Sequence, residues 1–218
     1  MLFRSDAFNL DDEDPRTLAR YDTAHFVNET RFADKKNGKN ERRWYQNNAQ
    51  SLGRLLLLAR RLCESGCRFV TVATRFVWDM HGDKNELGVE RGMEAVGRPY
   101  NHAVSAFIED CEARGLSDDI LLVSTGEMGR TPKINEDAGR DHWPDCYSMV
   151  LAGGGIPGGR IYGASNRTAS YPVRDAVAPW DIAATMYHLI GIDPSLHIIN
   201  RQGQPRPVAQ GQVISGLF

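Results

Sequence analysis

The feature that most constrains this chain is an alternation. Segments with helical apolar spacing are separated by short aliphatic runs, and polar clusters lie at or near the ends of those runs. Leu52, Leu55, Leu56, Ala59 and Leu62 recur at helical spacing between Asn48 and Ser65, and Gly66 supplies a stop. Arg68 to Thr74 (RFVTVAT) is β-branched and short, as a buried strand is. Tyr100 to Arg114 carries an apolar stripe of Tyr100, Ala103, Val104, Phe107, Ile108 and Cys111, closed by Gly115. Asp119 to Thr125 (DILLVST) and Tyr147 to Ala152 read as further strands, and a last helix follows Pro179 until Gly191. The order helix, strand, helix, strand, strand, helix predicts an α/β fold with a mostly parallel sheet flanked by helices. In such sheets functional groups gather at the carboxyl ends of the strands.

Residues 1–47 are polar and lack a sustained apolar period, so they read as an extended or partly helical arm preceding an α/β domain over 48–218. The basic run Lys35 to Arg43 (KKNGKNERR) reads as a solvated loop. With 218 residues, 41% of them hydrophobic, the chain can build one real core. A net charge of -2 without a basic stripe argues against a nucleic-acid partner. No apolar run reaches membrane-spanning length and the start has no apolar leader, so the expectation is a cytoplasmic chain with no membrane contact. Cys63, Cys67, Cys111 and Cys146 form no CxxC pair and read as reduced, mostly buried thiols.

Three clusters carry candidate chemistry. Asp79 and His81, two apart beside Gly82, can converge on a cation. Glu127 follows the second strand as a candidate metal ligand, and Arg130 can hold a tetrahedral anion bidentately. Asp141 and His142 form the third, with Asp141 either orienting His142 or ligating directly. Oxygen and imidazole donors favour a hard or borderline divalent ion, such as Zn, Mg, Mn or Ca. Cys146 lies near the third cluster but reads as a strand residue rather than a nucleophile. Gly153 to Gly155 lack the lysine and hydroxyl of a phosphate loop and read as a turn.

The run LLLARRLCESGCRFVTV, then WDMHG, then GEMGRTPKINEDAGRDHWPDCYSMVLAGGGIPGGRIYG, then PWDIAATMYHLIGIDP closely resembles the family called domain of unknown function 1501. That family is similar to the alkaline-phosphatase-like superfamily, with its sulfatases and phosphatases. The resemblance implies a hydrolase of phosphate or sulfate esters acting on a small anionic substrate. It implies Asp79, His81, Glu127 and His142 as metal ligands, with Arg130 and Asp141 assisting catalysis. Met80 stands where that family usually has threonine, and Asn101 where an aspartate is common. The superfamily's nucleophile sits on an early strand, and full-length relatives often carry an export leader. By that comparison the chain reads as a C-terminal portion lacking the nucleophile-bearing strand. It is then either a truncated hydrolase or a non-catalytic metal-binding or scaffold module. The oligomeric state is not legible in the sequence.

Overall fold

A computed structural model describes residues 5–26, 39–74, 78–83 and 86–218, with side chains described from Arg43 onward in the second stretch. The first four residues of the basic run at 35–43 lie outside the described residues; from Lys39 the run is helical. Packing divides the chain into two units, Met1–Ile120 with Arg130–Trp143, and Leu121–Gly129 with Pro144–Phe218.

The first unit is helical. Helix α1 (Pro15–Arg20) starts where Asp14 accepts the Thr17 N–H at 3.0 Å and Pro15 fills the first turn. The long helix α2 (Lys39–Glu64) buries Leu56, Leu57, Ala59 and Leu62. It ends at Gly66, whose φ of 95° is open to glycine, with Cys67 N–H donating to Leu62 O at 2.9 Å and Gly66 N–H to Cys63 O at 2.8 Å. Helix α3 (Val89–Gly92) passes through a wide turn (Met93–Gly97) into α4 (Arg98–Ala113), which packs on α2 through Ala103, Ala106, Phe107 and Cys111. Glycine at position 53 lets the Tyr21 carbonyl lie against α2, since a Cβ there would stand 1.7 Å from Tyr21 O.

A buried ionic network ties the amino-terminal residues to both long helices. Arg60, 1% exposed, donates to Glu13 at 2.7 Å, Glu64 at 2.6 Å and Asp110 at 2.9 Å. Arg61 reaches Glu13 at 2.8 Å, Arg114 reaches Asp110 at 2.8 Å, and the Tyr21 hydroxyl donates to Asp110 at 3.1 Å. Burial pushes the Glu13 carboxyl up, but hydrogen bonds from Arg61 and Arg60 and the charges of Arg60 and Arg114 outweigh it, leaving its pKa at about 2. Residues 5–26 are therefore a packed part of the first unit, with Tyr21 and Thr23 buried.

The second unit holds the strand pair β1 (Leu121–Ser124) and β4 (Val150–Gly153), covered by α5 (Pro179–Leu189). Ile182, Ile214 and Leu217 form its core against Val123, Met149, Leu151, Ile156 and Met186. Asp181 accepts N–H groups from Ala178 and Gln212 at 2.9 Å each, capping the start of α5 and holding the chain at Gln212 against it. Between β1 and β4 come β2 (Gly129–Arg130) and β3 (His142–Trp143), which pair with each other. Two hairpins complete the strands: β5 (Ala164–Ser165) with β6 (Pro172–Arg174), and β7 (His197–Ile199) with β8 (Pro205–Pro207).

The expected mostly parallel sheet flanked by helices is not what forms. The described strands make four two-stranded antiparallel pairs. Parallel neighbours need a crossover, usually a helix, between them. No helix separates β1 from β4, and the chain returns to pair Leu121 with Gly153 and Ser124 with Val150 in the opposite direction. The run 68–74 joins no strand pair. The turn at Gly153 to Gly155 does form, with φ of 82°, 62° and 79°. All four cysteines are free; Cys111 is buried and Cys63, Cys67 and Cys146 are partly so. No described helix is long and apolar enough to cross a membrane.

Candidate metal centre

The centre is built in the first unit from two short segments. One is Trp78–Gly82, anchored by Met80. The Met80 side chain is buried with Tyr45, Leu87, Ala95 and Val96, with Trp44 against them. Gly92 on α3 makes room for it, because a Cβ there would fall 2.6 Å from Met80 Cγ. Side chains alternate in an extended segment, so Met80 inward turns Asp79 and His81 together to the other side. This is why an Asp-x-His spacing can deliver two donors to one point.

The second segment is Arg130–Trp143, folded back so that β2 and β3 pair. Thr131 N–H donates to Asp141 O at 2.8 Å, and Asp141 N–H donates to Thr131 Oγ1 at 3.1 Å. The two segments are stitched by Arg140 N–H to Met80 O at 2.9 Å and by Asn135 Nδ2 to His81 O at 3.0 Å. Asn135 Oδ1 also accepts from Gly139 N–H at 2.8 Å, closing the loop that faces His81. The contact is close: a Cβ on Gly139 would stand 1.8 Å from His81 O, and one on Gly82 2.1 Å from Asp137 O.

Asp79, His81 and His142 each offer a ligand atom, and these atoms lie within 4.8 Å of one another. His142 Nε2 is 3.5 Å and His81 Nε2 3.7 Å from Asp79 Oδ1. Ligands bonded to a tetrahedral ion at about 2.0–2.1 Å are separated by about 3.3–3.5 Å. Asp79 Oδ1 is therefore within a few tenths of an ångström of that spacing from each imidazole nitrogen. Asp141 Oδ1 is 3.4 Å from His81 Nδ1. With that nitrogen as donor, Nε2 keeps its lone pair toward the cluster, the arrangement of a carboxylate orienting a ligating histidine. So Asp141 faces His81 rather than its neighbour His142.

Arg130 donates through Nη2 to Asp79 Oδ1, and its Nη1 stands 3.4 Å from His81 Nε2. Two contributors escaped the reading from sequence. Asn135 is one. Glu86 is the other, with Oε2 4.0 Å from His81 Nε2. Burial pushes the Glu86 carboxyl above its ordinary value; the His81 charge opposes this, and Asp79 and Asp83 add to it. The side chains of Asp79 and Glu86 are 15% and 12% exposed, but that of His142 is 52% exposed, so the cluster has an open side for a ligand. Glu127 is not one of the three converging donors. It is exposed in the bend after β1 and belongs to the second unit.

The family model described as "Protein of unknown function (DUF1501)" matches residues 4–218. The chain belongs to the DUF1501 family. No curated protein and no solved structure matches this DUF1501 chain. The match runs through both units, and so includes every residue of the centre.

Proposed function

We propose that this DUF1501 chain binds a divalent metal ion through Asp79, His81 and His142, and that the ion serves hydrolysis of phosphate or sulfate esters in the manner of alkaline-phosphatase-like enzymes. The observation that carries the reading is the convergence of one carboxylate oxygen and two imidazole nitrogens within 4.8 Å. Mixed oxygen and nitrogen donors without thiolate favour Zn, Mn or Mg over softer ions. A bound ion supplies Lewis acidity toward an ester oxygen. The chain's own residues position the ion's ligands and the anion. Asp141 and Asn135 hold His81 in place, and Arg130 brings a planar donor fork to the same point, suited to an oxyanion. The open side at His142 admits the substrate.

The test has two stages. Metal-stripped protein titrated with zinc or manganese should bind about one equivalent, and His142→Ala should weaken that binding at least tenfold. The loaded protein should then hydrolyse aryl phosphate or aryl sulfate esters. Metal retention without turnover reduces the function to a metal-binding module. Equal binding by wild type and His142→Ala removes the centre altogether.

A further inference from the structure

We propose that Arg130 is a resident counter-cation of this centre: its guanidinium occupies the metal's ligands until an ion displaces it, and the freed guanidinium then captures a tetrahedral oxyanion beside the ion. The inference rests on the metal-centre reading and says how that centre is controlled. The same Asp79 Oδ1 that meets both histidines receives the Arg130 Nη2 donor, and His81 Nε2 faces Nη1 at 3.4 Å. Two of the three converging donor atoms are thus engaged by one side chain.

Valence makes the competition exclusive at His81. A neutral imidazole has a single lone pair on its unprotonated nitrogen, so Nε2 accepts from Arg130 or binds a metal, but not both. Charge makes it unfavourable at Asp79, because a guanidinium that cannot lose its proton and a divalent ion repel at this range. Entry of the ion therefore expels the guanidinium. It cannot go far, since Arg130 sits on β2, paired with the β3 strand that carries His142. Asp79 is its carboxylate partner in the structure, and when the ion takes that partner the donor fork is left beside a cation with its N–H groups free. An oxyanion such as phosphate or sulfate satisfies both charges at once. The apparent metal affinity is then the intrinsic affinity scaled by the fraction of molecules whose Arg130 has let go. An anion that holds the released guanidinium raises that fraction, so metal and anion reinforce each other.

Calorimetric titration with manganese chloride tests this on the full chain, as wild type, Arg130→Gln and Arg130→Lys, each with and without sodium sulfate. Removing a competing charge-assisted contact should tighten manganese binding about ten- to a hundredfold in Arg130→Gln. Arg130→Lys, with a point charge on a shorter reach, should fall between. Sulfate should tighten binding to the wild type and leave Arg130→Gln unchanged. Thermal melts check both variants; if the glutamine protein does not fold, the lysine protein carries the comparison, expected tighter than wild type. Manganese binding to the wild type with equal or weaker binding to the folded variants overturns the proposal and leaves the metal centre standing. Absence of a sulfate effect on the wild type refutes the coupling. Failure of all three proteins to bind the ion sinks the metal centre and this inference together.

Discussion

Replacing Arg60 by alanine probes the strongest electrostatic commitment in the first unit. Arg60 is 1% exposed and serves three carboxylates, of which Glu13 and Asp110 are themselves 6% and 4% exposed in their side chains. Breaking a buried pair by removing one partner costs about 3–5 kcal/mol, since the remaining charge has lost its compensation. Here Arg61, Arg114 and Tyr21 still reach the same carboxylates, which brings the expected loss to about 2–4 kcal/mol at pH 7. That is a large share of an ordinary domain's stability, about 5–15 kcal/mol. The loss should also depend on pH. Glu13 sits at about 2 in the folded protein against 4.5 for an ordinary glutamate. A lowered carboxyl contributes its stabilisation above about pH 4.5 and loses it as pH falls toward 2. The ceiling is about 3 kcal/mol, and access of water to the Arg61 and Arg114 side of the cluster reduces it to about 1–2 kcal/mol. Arg60→Ala removes one cause of the lowering, so Glu13 should protonate at higher pH and acid unfolding should begin earlier. Urea titrations at pH 7, 4 and 3 measure both effects, with Arg60→Met as the control that keeps the packed volume. If both variants stay within about 1 kcal/mol of wild type at pH 7, the network is not a structural tie and the argument from burial is wrong.

Other perturbations separate packing from the centre. Gly53→Ala places a methyl on the Tyr21 carbonyl and should destabilise by more than about 2 kcal/mol in a urea melt, whereas Gly115→Ala, with open space around it, should cost only the backbone strain of its φ of 69°, about 1 kcal/mol. Met80→Ala opens a cavity against Gly92 and should cost about 2–4 kcal/mol while also weakening metal binding, because the side chain that turns Asp79 and His81 outward is gone. Asn135→Ala should lower metal affinity about tenfold with the melting curve shifted by no more than a few degrees, since it removes links to His81 and Asp141 at a half-exposed loop; unchanged affinity would show that the loop orients nothing.

The helices were legible because their signals are local. An apolar stripe and a terminal glycine placed α4 within two residues at its start, and Gly66 and Gly115 both close Schellman-type turns. Helix α2 starts before its regular apolar period does, because Trp44 and Tyr45 bring its packed face into a stretch of otherwise polar sequence. Strand direction was not legible at all. LLVS reads the same whether its partner runs parallel or antiparallel, and only the return through β2 and β3 to β4 decides it. The buried ionic network was equally invisible, since Glu13, Arg60 and Asp110 are far apart in sequence and each alone reads as a surface charge.

The centre divides along the same line. Asp79 and His81 could be named from sequence because a spacing of two in an extended segment fixes their common side, whatever the rest of the chain does. Asn135 and Glu86 could not, because each reaches His81 from its own loop, and Asn135 does so only through the close backbone contacts at Gly82 and Gly139. Residue 80 joins the two levels. The Met80 side chain packs with Tyr45, Leu87, Ala95 and Val96, so the middle position ties packing of the first unit's core to ligand orientation. Stability of that core and affinity for the ion should therefore fall together in a series such as Met80→Leu, Met80→Ala and Met80→Ser. A series in which stability drops while affinity stays constant would place the orientation of the ligands in the Asn135 loop instead.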